Sequence, residues 1–500
     1  MLLPSTGLFF PLVLIFGCHW HAATVWAFPA ASDGNTRTTN IRNPSSFFIP
    51  ISRLRISEID RKRMIAAKFN PDYAKEELAS LVLKYQKAPK FLRGLITQTS
   101  HNVSLVDGQG PKKVDSNAVQ LPMSAVASPD SAEVTLKIPP ILTALGEAKM
   151  PLIDMMSGSM DILYYGPLRF GTPPQELKVD VDTGSADLWI PAGCPACSNK
   201  QFDKKSSSTY SESRSTFAMT YVCTLSFLGT GEVTAVLATD VVAVQGLSIH
   251  NQSFGAITQE SDDFNSYPNS GLLGMAFSSI AASGKSTFFD NLVKEEQLAA
   301  PMFSVHLERG EETGSEVCLF AICFGCIDDD KRLGEVHWVP VVSKTYWSVA
   351  LDHVSVNSTI VASTGVIAAI DTGTTLIYLP HDMTTKLYDT IPGSKPATEY
   401  GPGFFTIPCN NEHTLSFSFG GRDFAIDDRD FNMGKKCIIS TRVYRILMFI
   451  SITGPVDDGS TDCVGGILGL GNGFPANLAI VGDEFLKSCV TPCFLHRTGY

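Results

Sequence analysis

The order of apolar and polar residues divides this chain into three parts. An apolar run, GLFFPLVLIFG, follows the initiator Met closely and is too short to span a membrane. Residues 57–95 place apolar side chains at helical spacing among many charges. From about residue 158 onward, short runs typical of β-strands are separated by Gly, Ser, Asn and Pro. The pattern predicts an all-β body behind a partly helical front segment, with further helices at residues 287–296 and 382–391.

The N-terminal apolar run is typical of a signal peptide. Val25-Trp26-Ala27 follows it and predicts cleavage after Ala27, so residues 1–27 would be removed. Glycosylation sequons at Asn102, Asn251 and Asn357 fit a secreted glycoprotein. The chain is therefore predicted to be secreted from the cell or delivered to the vacuole, where its twelve cysteines would tend to form disulfide bonds.

Charge is divided unevenly along the chain. Residues 28–150 hold 17 Lys and Arg against 11 Asp and Glu, a net charge of +6, whereas residues 151–500 hold 22 against 39, a net charge of −17. No basic patch indicates nucleic-acid binding. Charge alone leaves two interpretations open. In the first, the acidic surface serves only to keep the protein in solution. In the second, the basic front segment lies on the acidic body, and acid weakens their attraction by protonating carboxylates.

The strongest feature is a repeated loop in the β-rich part. Asp182-Thr-Gly-Ser and Asp371-Thr-Gly-Thr each follow an apolar residue, and each reaches a Pro nine positions after its Asp. One such loop could be an ordinary β-turn, since Asp and Gly are common turn residues. Two copies in matching surroundings instead indicate an internal repeat that brings two carboxyls to one site.

Two close carboxyls suit peptide hydrolysis. Like charges at contact cannot both ionise, so one carboxylate can activate water while the other, protonated, donates to the carbonyl. Gly184 and Gly373 permit tight turns. The neighbouring hydroxyl residues can stabilise a buried carboxylate; they are Thr183, Ser185, Thr372 and Thr374.

From about residue 160 to 488 the chain resembles the pepsin-like aspartic endopeptidases and is most similar to secreted fungal members. The matching stretches are YYGPLRFGTPPQ, VDVDTGSADLWIP, NSGLLGMAF, TYWSVALD, AAIDTGTTLIYLP and LAIVGDEFL. The resemblance implies a bilobal all-β fold with pseudo-twofold lobes and a cleft between them. It also implies a propeptide and linker over residues 28–157, an N-terminal lobe over 158–340 and a C-terminal lobe over 341–500.

The same resemblance assigns roles to individual residues. Asp182 and Asp371 would form the catalytic dyad, and Tyr221 would be the tyrosine of a flap that closes over substrate. Ser185 and Trp189 match positions that orient the first Asp and the flap tyrosine. The apolar segments that cross behind the Asp loops would be Leu272-Leu273-Gly274 and Ile480-Val481-Gly482. Ile467-Leu468-Gly469 has the same pattern as the second segment, but Ile480-Val481-Gly482 is preferred.

The resemblance further implies a zymogen whose basic front segment lies in the cleft. Lys84 and Lys87 are candidates for the lysine that reaches the dyad, and processing is predicted within residues 138–158. The expected activity is acid endoproteolysis with a preference for bulky apolar residues around the bond. We expect no metal or organic cofactor, no nucleic acid and no membrane span. The expected partners of this monomer are polypeptide substrates, its own propeptide and pepstatin-type inhibitors.

The cysteines allow two interpretations. Cys194-x-x-Cys197 and Cys323-x-x-Cys326 superficially match a zinc site with four cysteine ligands, but 125 residues separate the two halves and the compartment is oxidising. Local disulfide loops are therefore predicted. By resemblance to the family, Cys409 and Cys463 would form the disulfide of the second lobe.

Four segments depart from the family pattern: residues 222–228, 318–322, about 435–455, and the tail after Ser488, which lacks the closing strand of the family. They are interpreted as translated introns of an imperfect gene model, with genuine loop elaboration as the alternative. The chain would then be an inactive product of mis-splicing. Two further alternatives are a catalytically impaired pepsin-like binding protein and a two-carboxylate glycosidase, although both Asp loops are intact.

Overall fold

The computed structural model describes residues 46–48, 69–89, 92, 146–157, 160–222, 230–261, 264–265, 267–307, 309, 321–328, 336–410, 413–435, 437–446, 448–457, 461–488 and 490–494. Several sequence predictions lie outside these residues. They are the signal peptide 1–27, the sequon at Asn102, residues 138–145 of the processing window, and segments 223–228 and 318–320.

Helices are few, as the sequence predicts. They are α1 (Pro71–Lys84), α2 (Phe288–Lys294), α3 (His381–Asp389), α4 (Asp428–Phe431) and α5 (Asp483–Leu486). Helix α1 starts where Asn70 caps it, its side chain accepting a hydrogen bond from the Tyr73 amide at 3.2 Å, with Pro71 in the first turn. Both helices predicted in the body are present, at α2 and α3.

Strands make up most of the described structure, which confirms the predicted all-β fold class. The strands of the first half are β1 (Ser46–Phe48), β2 (Ala148–Pro151), β3 (Ile153–Ser157), β4 (Met160–Phe170), β5 (Gln175–Asp182), β6 (Leu188–Pro191), β7 (Ser211–Val222), β8 (Thr230–Val244), β9 (Leu247–Glu260), β10 (Gly271–Gly274), β11 (Met302–His306) and β12 (Ala321–Phe324).

The second half continues the series. Its strands are β13 (Trp338–Lys344), β14 (Trp347–Val356), β15 (Thr359–Ile370), β16 (Ile377–Pro380), β17 (Lys395–Pro396), β18 (Phe405–Pro408), β19 (Leu415–Phe419), β20 (Arg422–Ile426), β21 (Asn432–Lys435), β22 (Cys437–Ile446), β23 (Met448–Asp457), β24 (Asp462–Gly465), β25 (Ile467–Leu470), β26 (Leu478–Val481) and β27 (Val490–Phe494).

Most of the described strands belong to two large sheets. The first has the order β3-β4-β5-β10-β6-β9-β8-β7, and the second runs β2-β12-β11-β27-β1-β13-β14-β15-β26-β16-β25, with β19 and β20 attached to β14. Strands β2 and β3 belong to these sheets although residues 148–157 precede the predicted start of the first lobe. The folded body therefore includes residues that the sequence assigned to the linker.

The two sheets repeat one local arrangement. In the first lobe β5 pairs in parallel with β10, and β10 lies antiparallel to β6. In the second lobe β15 pairs in parallel with β26, and β26 lies antiparallel to β16. The competing segment, Ile467-Leu468-Gly469, lies in β25. That strand pairs with β16, whereas β15, the strand before Asp371, pairs with β26. The choice of Ile480-Val481-Gly482 as the crossing segment is therefore confirmed.

The segments that depart from the family pattern differ in structure. Strands β22 and β23 pair with each other and, within the described residues, with no other strand, so most of segment 435–455 is a self-contained hairpin. The predicted absence of a closing strand is wrong, because β27 pairs antiparallel with β11 and β1. A strand joins a sheet through backbone groups, so a tail with unfamiliar side chains can still complete it.

Candidate active site

The two aspartates occupy equivalent ends of the repeated arrangement. Asp182 is the last residue of β5, and Asp371 directly follows β15. Both are buried, with Asp371 0% exposed. The Nζ atom of Lys84 lies 2.9 Å from Oδ1 of each aspartate, so one ammonium bridges both carboxylates. The structure thus brings together two loops that are 189 residues apart in sequence.

The loops are locked together by their threonines. Thr183 and Thr372 exchange hydrogen bonds, with each backbone amide donating to the other hydroxyl, at 3.1 and 2.9 Å. The Thr183 hydroxyl also donates to the carbonyl of Ile370 at 3.0 Å, and that of Thr372 to the carbonyl of Val181 at 2.6 Å. This reciprocal network fixes the distance between the two carboxyls.

Glycine is required in both loops because each loop approaches the opposite aspartate. A Cβ atom on Gly184 would overlap the carboxylate oxygens of Asp371, and one on Gly373 would overlap the carboxylate of Asp182. Both backbone amides also donate locally, Gly184 to Asp182 at 2.8 Å and Gly373 to Asp371 at 3.0 Å. The Gly residues therefore serve close approach as well as turning.

The electrostatic surroundings of the two carboxyls differ. Burial and the charge of Asp371 raise the pKa of Asp182, although the ammonium of Lys84 opposes that rise. Burial would also raise the pKa of Asp371, but Lys84 and the Thr374 hydroxyl, which donates at 2.6 Å, hold it below its ordinary value. The arrangement therefore favours a charged Asp371 while the lysine is in place.

Helix α1 and the turn after it cover the site. The Tyr85 hydroxyl donates to Oδ2 of Asp371 at 2.9 Å, and its ring stacks on Tyr346, whose hydroxyl donates to the Lys84 carbonyl at 3.0 Å. Burial would lower the pKa of Lys84, but the two aspartates raise it above its ordinary value. Of the two candidate lysines, Lys84 contacts both aspartates, whereas Lys87 donates to the carbonyl of Ile280.

Glu77 anchors the same helix in the second lobe. Its buried carboxylate accepts hydrogen bonds from the amides of Thr375 and Leu376 at 2.5 and 3.2 Å, and from the Tyr378 hydroxyl at 2.6 Å. The Tyr73 hydroxyl adds a 2.6 Å contact with the Thr375 hydroxyl. These contacts begin directly after the second Asp loop, so helix α1 binds the site at two points.

The remaining predicted site residues lie on the first lobe. Trp189, at the centre of β6, is buried and borders the cavity beside Asp182. Tyr221 lies in the β7–β8 hairpin, where its backbone pairs with Gly231, and the tip residues 223–229 lie outside the described structure. The flap role of Tyr221 stays a prediction.

The six cysteines singled out in the sequence form three disulfides in the structure: Cys194–Cys197, Cys323–Cys326 and Cys409–Cys463. The first two close short loops, and the third joins the residue directly after β18 to β24 in the second lobe. Within the part of the chain that the structure describes, no group of three or more His, Cys, Asp or Glu could hold a metal ion.

Sequence reasoning missed several residues that cover the site. Tyr73 and Glu77 follow the helical spacing of Leu81, so their face of α1 could have been identified, but a Glu among charged residues is ordinarily assigned to solvent. No motif identifies Tyr85 or Tyr346 as a site residue. Tyr85 could have been found only because it follows the candidate Lys84, and Tyr346 only because it lies in the matching stretch TYWSVALD.

Two interlocked Asp loops between two β lobes define a site of the aspartic protease class. The family described as eukaryotic aspartyl protease matches residues 163–494, which is more than half of the chain. The chain therefore belongs to the eukaryotic aspartyl protease family, and its resemblance to the pepsin-like aspartic endopeptidases is confirmed.

Individual relatives agree with this placement. The chain is 36% identical to pepsin A of Rhinolophus ferrumequinum over 274 residues, covering 54% of this chain and 67% of that protein. It is 34% identical to an aspartic protease of Phaffia rhodozyma over 334 residues, covering 65% and 72%. Cathepsin E of Oryctolagus cuniculus is 33% identical over 347 residues, covering 68% and 78%. The match to pepsin A of Gallus gallus spans 64% of that protein.

Proposed function

We propose that this chain is the zymogen of a secreted aspartic endopeptidase that hydrolyses peptide bonds at acidic pH. The observation that carries the proposal is the position of Lys84, whose ammonium lies 2.9 Å from both Asp182 and Asp371. Two buried carboxyls that contact one ammonium lie close enough to share one proton and to hold a water between them once that ammonium has left. The front segment occupies the place that substrate and water need.

In the proposed reaction the dyad acts as a unit. The ionised carboxylate takes a proton from water, which attacks the peptide carbonyl, while the protonated carboxyl donates to the carbonyl oxygen. The proton taken from water then passes to the leaving nitrogen as the C–N bond breaks, while the other carboxylate takes a proton back from a hydroxyl of the tetrahedral intermediate. The dyad therefore ends with its original proton count. Because the two groups titrate together, the shared proton belongs to the pair.

We place the processing site between residues 138 and 145. Gly146 bridges Leu298, and the following strands β2 and β3 are built into the two sheets, so cutting after Gly146 would remove parts of the folded body. Secretion is supported by the sequons, since Asn251 and Asn357 are both exposed. No helix in the described part of the chain is long and apolar enough to cross a membrane.

The proposal predicts acid-dependent, pepstatin-sensitive proteolysis. The purified chain is brought to pH 3–4, and cleavage of a denatured protein substrate is followed with and without pepstatin; a sample held at pH 7 is the control. We expect cleavage only after acidification and its loss with pepstatin. An acidified chain that stays intact and cleaves nothing would contradict the proposal and favour an impaired binding protein.

A further inference from the structure

The front segment fills an aromatic pocket of the second lobe, at the end of α1 that lies away from the dyad. Phe69, two residues before helix α1, is 0% exposed. Its ring centroid lies 5.6 Å from that of Tyr400 and 6.4 Å from that of Phe404. The rings of Tyr400 and Phe404 lie 6.2 Å apart, edge to face. At such distances aromatic rings attract each other beyond the effect of burial alone. The pocket thus holds an aromatic side chain in this structure.

The walls of the pocket are built by the second lobe itself. The loop between β17 and β18 carries both rings, and the Ala397 amide closes it by donating to the Phe404 carbonyl at 2.8 Å. The Gly469 amide of β25 donates to the Gly403 carbonyl at 2.9 Å, which ties the loop to the sheet. Gly403 is required there because a Cβ atom would overlap the Gly469 carbonyl. These backbone bonds do not involve Phe69, so the rings keep their places when it leaves.

Release of the front segment opens the pocket. It uncovers the parts of Tyr400 and Phe404 that Phe69 covers, and Ala397 and Leu470 belong to the same apolar cluster. An exposed apolar pocket on a folded protein ordinarily marks a binding site. Because the segment that occupies it here supplies an aromatic side chain, the ligand that fits is an aromatic residue of another polypeptide.

Helix α1 connects the pocket to the dyad. A helix rises about 1.5 Å per residue, so Phe69 lies about 20 Å along the axis from Lys84, which contacts both aspartates. An extended polypeptide covers that distance in about six residues, at about 3.3 Å each. One substrate chain can therefore place a peptide bond at the dyad and an aromatic side chain in the pocket.

We infer that this pocket is an exosite of the active enzyme, which binds a Phe, Tyr or Trp side chain of a polypeptide substrate about six residues from the scissile bond. The inference rests on the proposed endopeptidase function. The remote side chain makes the same contacts before and during the reaction, so the exosite lowers KM and leaves kcat unchanged. It adds one distant aromatic residue to the apolar residues expected around the bond.

Peptides that differ at one remote position test the inference. A reporter peptide carries Ala at every position four to eight residues from the bond on both sides, and each position is replaced by Phe in turn. The zymogen is processed by an added protease, which is then inhibited, and kcat and KM are measured at pH 4. We expect Phe at one or two neighbouring positions to lower KM about tenfold, the size expected for burying an aromatic side chain.

Two variants remove the walls of the pocket. Phe404→Ala and Tyr400→Ala should each abolish the KM advantage of the Phe peptide. Both should cleave the Ala peptide with unchanged kcat/KM, which also shows that they are folded. Phe405→Leu is the control, because the Phe405 ring stacks on Tyr388 at 4.4 Å and Leu keeps that part of the core filled. It should retain the advantage of the Phe peptide.

The possible failures are distinguishable. If the Ala peptide is cleaved but Phe lowers KM at no tested position, the endopeptidase proposal stands and the exosite is wrong. If a Phe peptide gains and keeps its gain in both pocket variants, its ring binds elsewhere and the inference is again wrong. If the wild-type enzyme cleaves none of the peptides, the inference and the proposed function are both contradicted.

Discussion

Asp182 and Asp371 have nearly the same sequence neighbours but different surroundings in the covered site. Asp371 receives hydrogen bonds from the Thr374 hydroxyl and from Tyr85, both at its Oδ2 atom. Asp182 has Asp180 beside it, and that carboxyl has a strongly raised pKa because of its burial. A repeat in sequence therefore does not give two equivalent carboxyls, since the asymmetry comes from other parts of the chain.

Residues were predictable from sequence where a motif fixes their role, and unpredictable where packing decides it. The two Asp-Thr-Gly loops could be identified because their repetition is unusual, whereas the resemblance offered Lys84 and Lys87 as candidates and the structure distinguishes them. Glu77 and Asp180 could not, because acidic residues in a helix or strand ordinarily face solvent. Their burial is visible only once α1 and β5 are packed against the second and first lobes.

Among the elements, helix α1 has a dual character. Its buried face carries Tyr73, Ala74 and Leu81, but also Glu77, which bonds to two backbone amides of the second lobe. The helix ends at Lys84, which contacts both aspartates, and Tyr85 follows it and donates to Asp371. Apolar contacts stabilise the bound helix, whereas the charged contacts at its C-terminal end make its binding depend on the protonation of the aspartates.

The variant Lys84→Met tests that dependence. Lys84 and the Thr374 hydroxyl hold the pKa of buried Asp371 below its ordinary value. The attraction between Lys84 and ionised Asp371 is therefore fully present above the ordinary pKa of an Asp, and it is lost as pH falls through the lowered pKa of Asp371. Without Lys84 this acid-sensitive contact is absent. We expect conversion of the zymogen to begin at higher pH and, at pH 5, to be roughly tenfold faster or more, since breaking a buried ion pair is costly.

Conversion is followed by mass spectrometry across pH 3–7. Lys87→Met is the matched control, because Lys87 bonds to the Ile280 carbonyl rather than to an aspartate and should leave the pH dependence unchanged. The account is wrong about Lys84 if both variants convert at the same pH and rate as the wild type.

The elements that depart from the family were the least predictable. The hairpin β22–β23 arises from a segment that no motif describes, and its ends, Cys437 and Asp457, lie opposite each other in the pairing register. Such a hairpin can be added without separating the strands on either side of it. The strand β27 shows the opposite case, in which an atypical tail completes a sheet through backbone bonds.

At the scale of the whole molecule, a buried ionic network connects the lobes. Lys487, just after α5 in the second lobe, lies 2.5 Å from Asp161 on β4 of the first lobe and 2.8 Å from Glu484. Asp154 on β3 is also close, and burial followed by the charge of Asp161 raises its pKa to about 9. Asp430 also lies 3.8 Å from the Lys487 ammonium. Several carboxyls crowded around one ammonium are stable together only if some of them remain protonated.

This network predicts that the folded chain is less stable at alkaline pH. Burial raises the pKa of Glu484 from 4.5 to about 8. A raised carboxyl pKa gives stability that is fully present below 4.5 and is lost as pH rises through about 8. We expect Tm to fall between pH 5 and pH 9, and Glu484→Gln to reduce that fall by roughly 5 °C or more.

Thermal unfolding monitored by circular dichroism at pH 5, 7 and 9 measures the effect. Glu176→Gln, which changes a carboxylate whose side chain is 54% exposed, is the control and should leave the pH dependence as in the wild type. An identical fall in Tm for wild type and Glu484→Gln would show that another group controls the alkaline loss.

The global architecture was largely predictable because it follows from a repeat. The runs typical of β-strands predicted the all-β class, and the family resemblance that the doubled Asp loop supports implied two related lobes. The order of strands in the two large sheets was not predictable, since parallel pairs such as β5–β10 and β15–β26 join segments far apart in sequence. The inclusion of residues 148–157 in the body depended on these distant pairings as well.

The central claim is that Asp182 and Asp371 together perform peptide hydrolysis. It is tested most directly by the variants Asp182→Asn and Asp371→Asn, each processed by an added protease in the same way as the wild type. After that protease is inhibited, kcat/KM is measured at pH 4 on one reporter peptide. We expect each variant to lose roughly a thousandfold or more of the wild-type value, because the dyad works as a unit. Cleavage by either variant at the wild-type rate would contradict the claim.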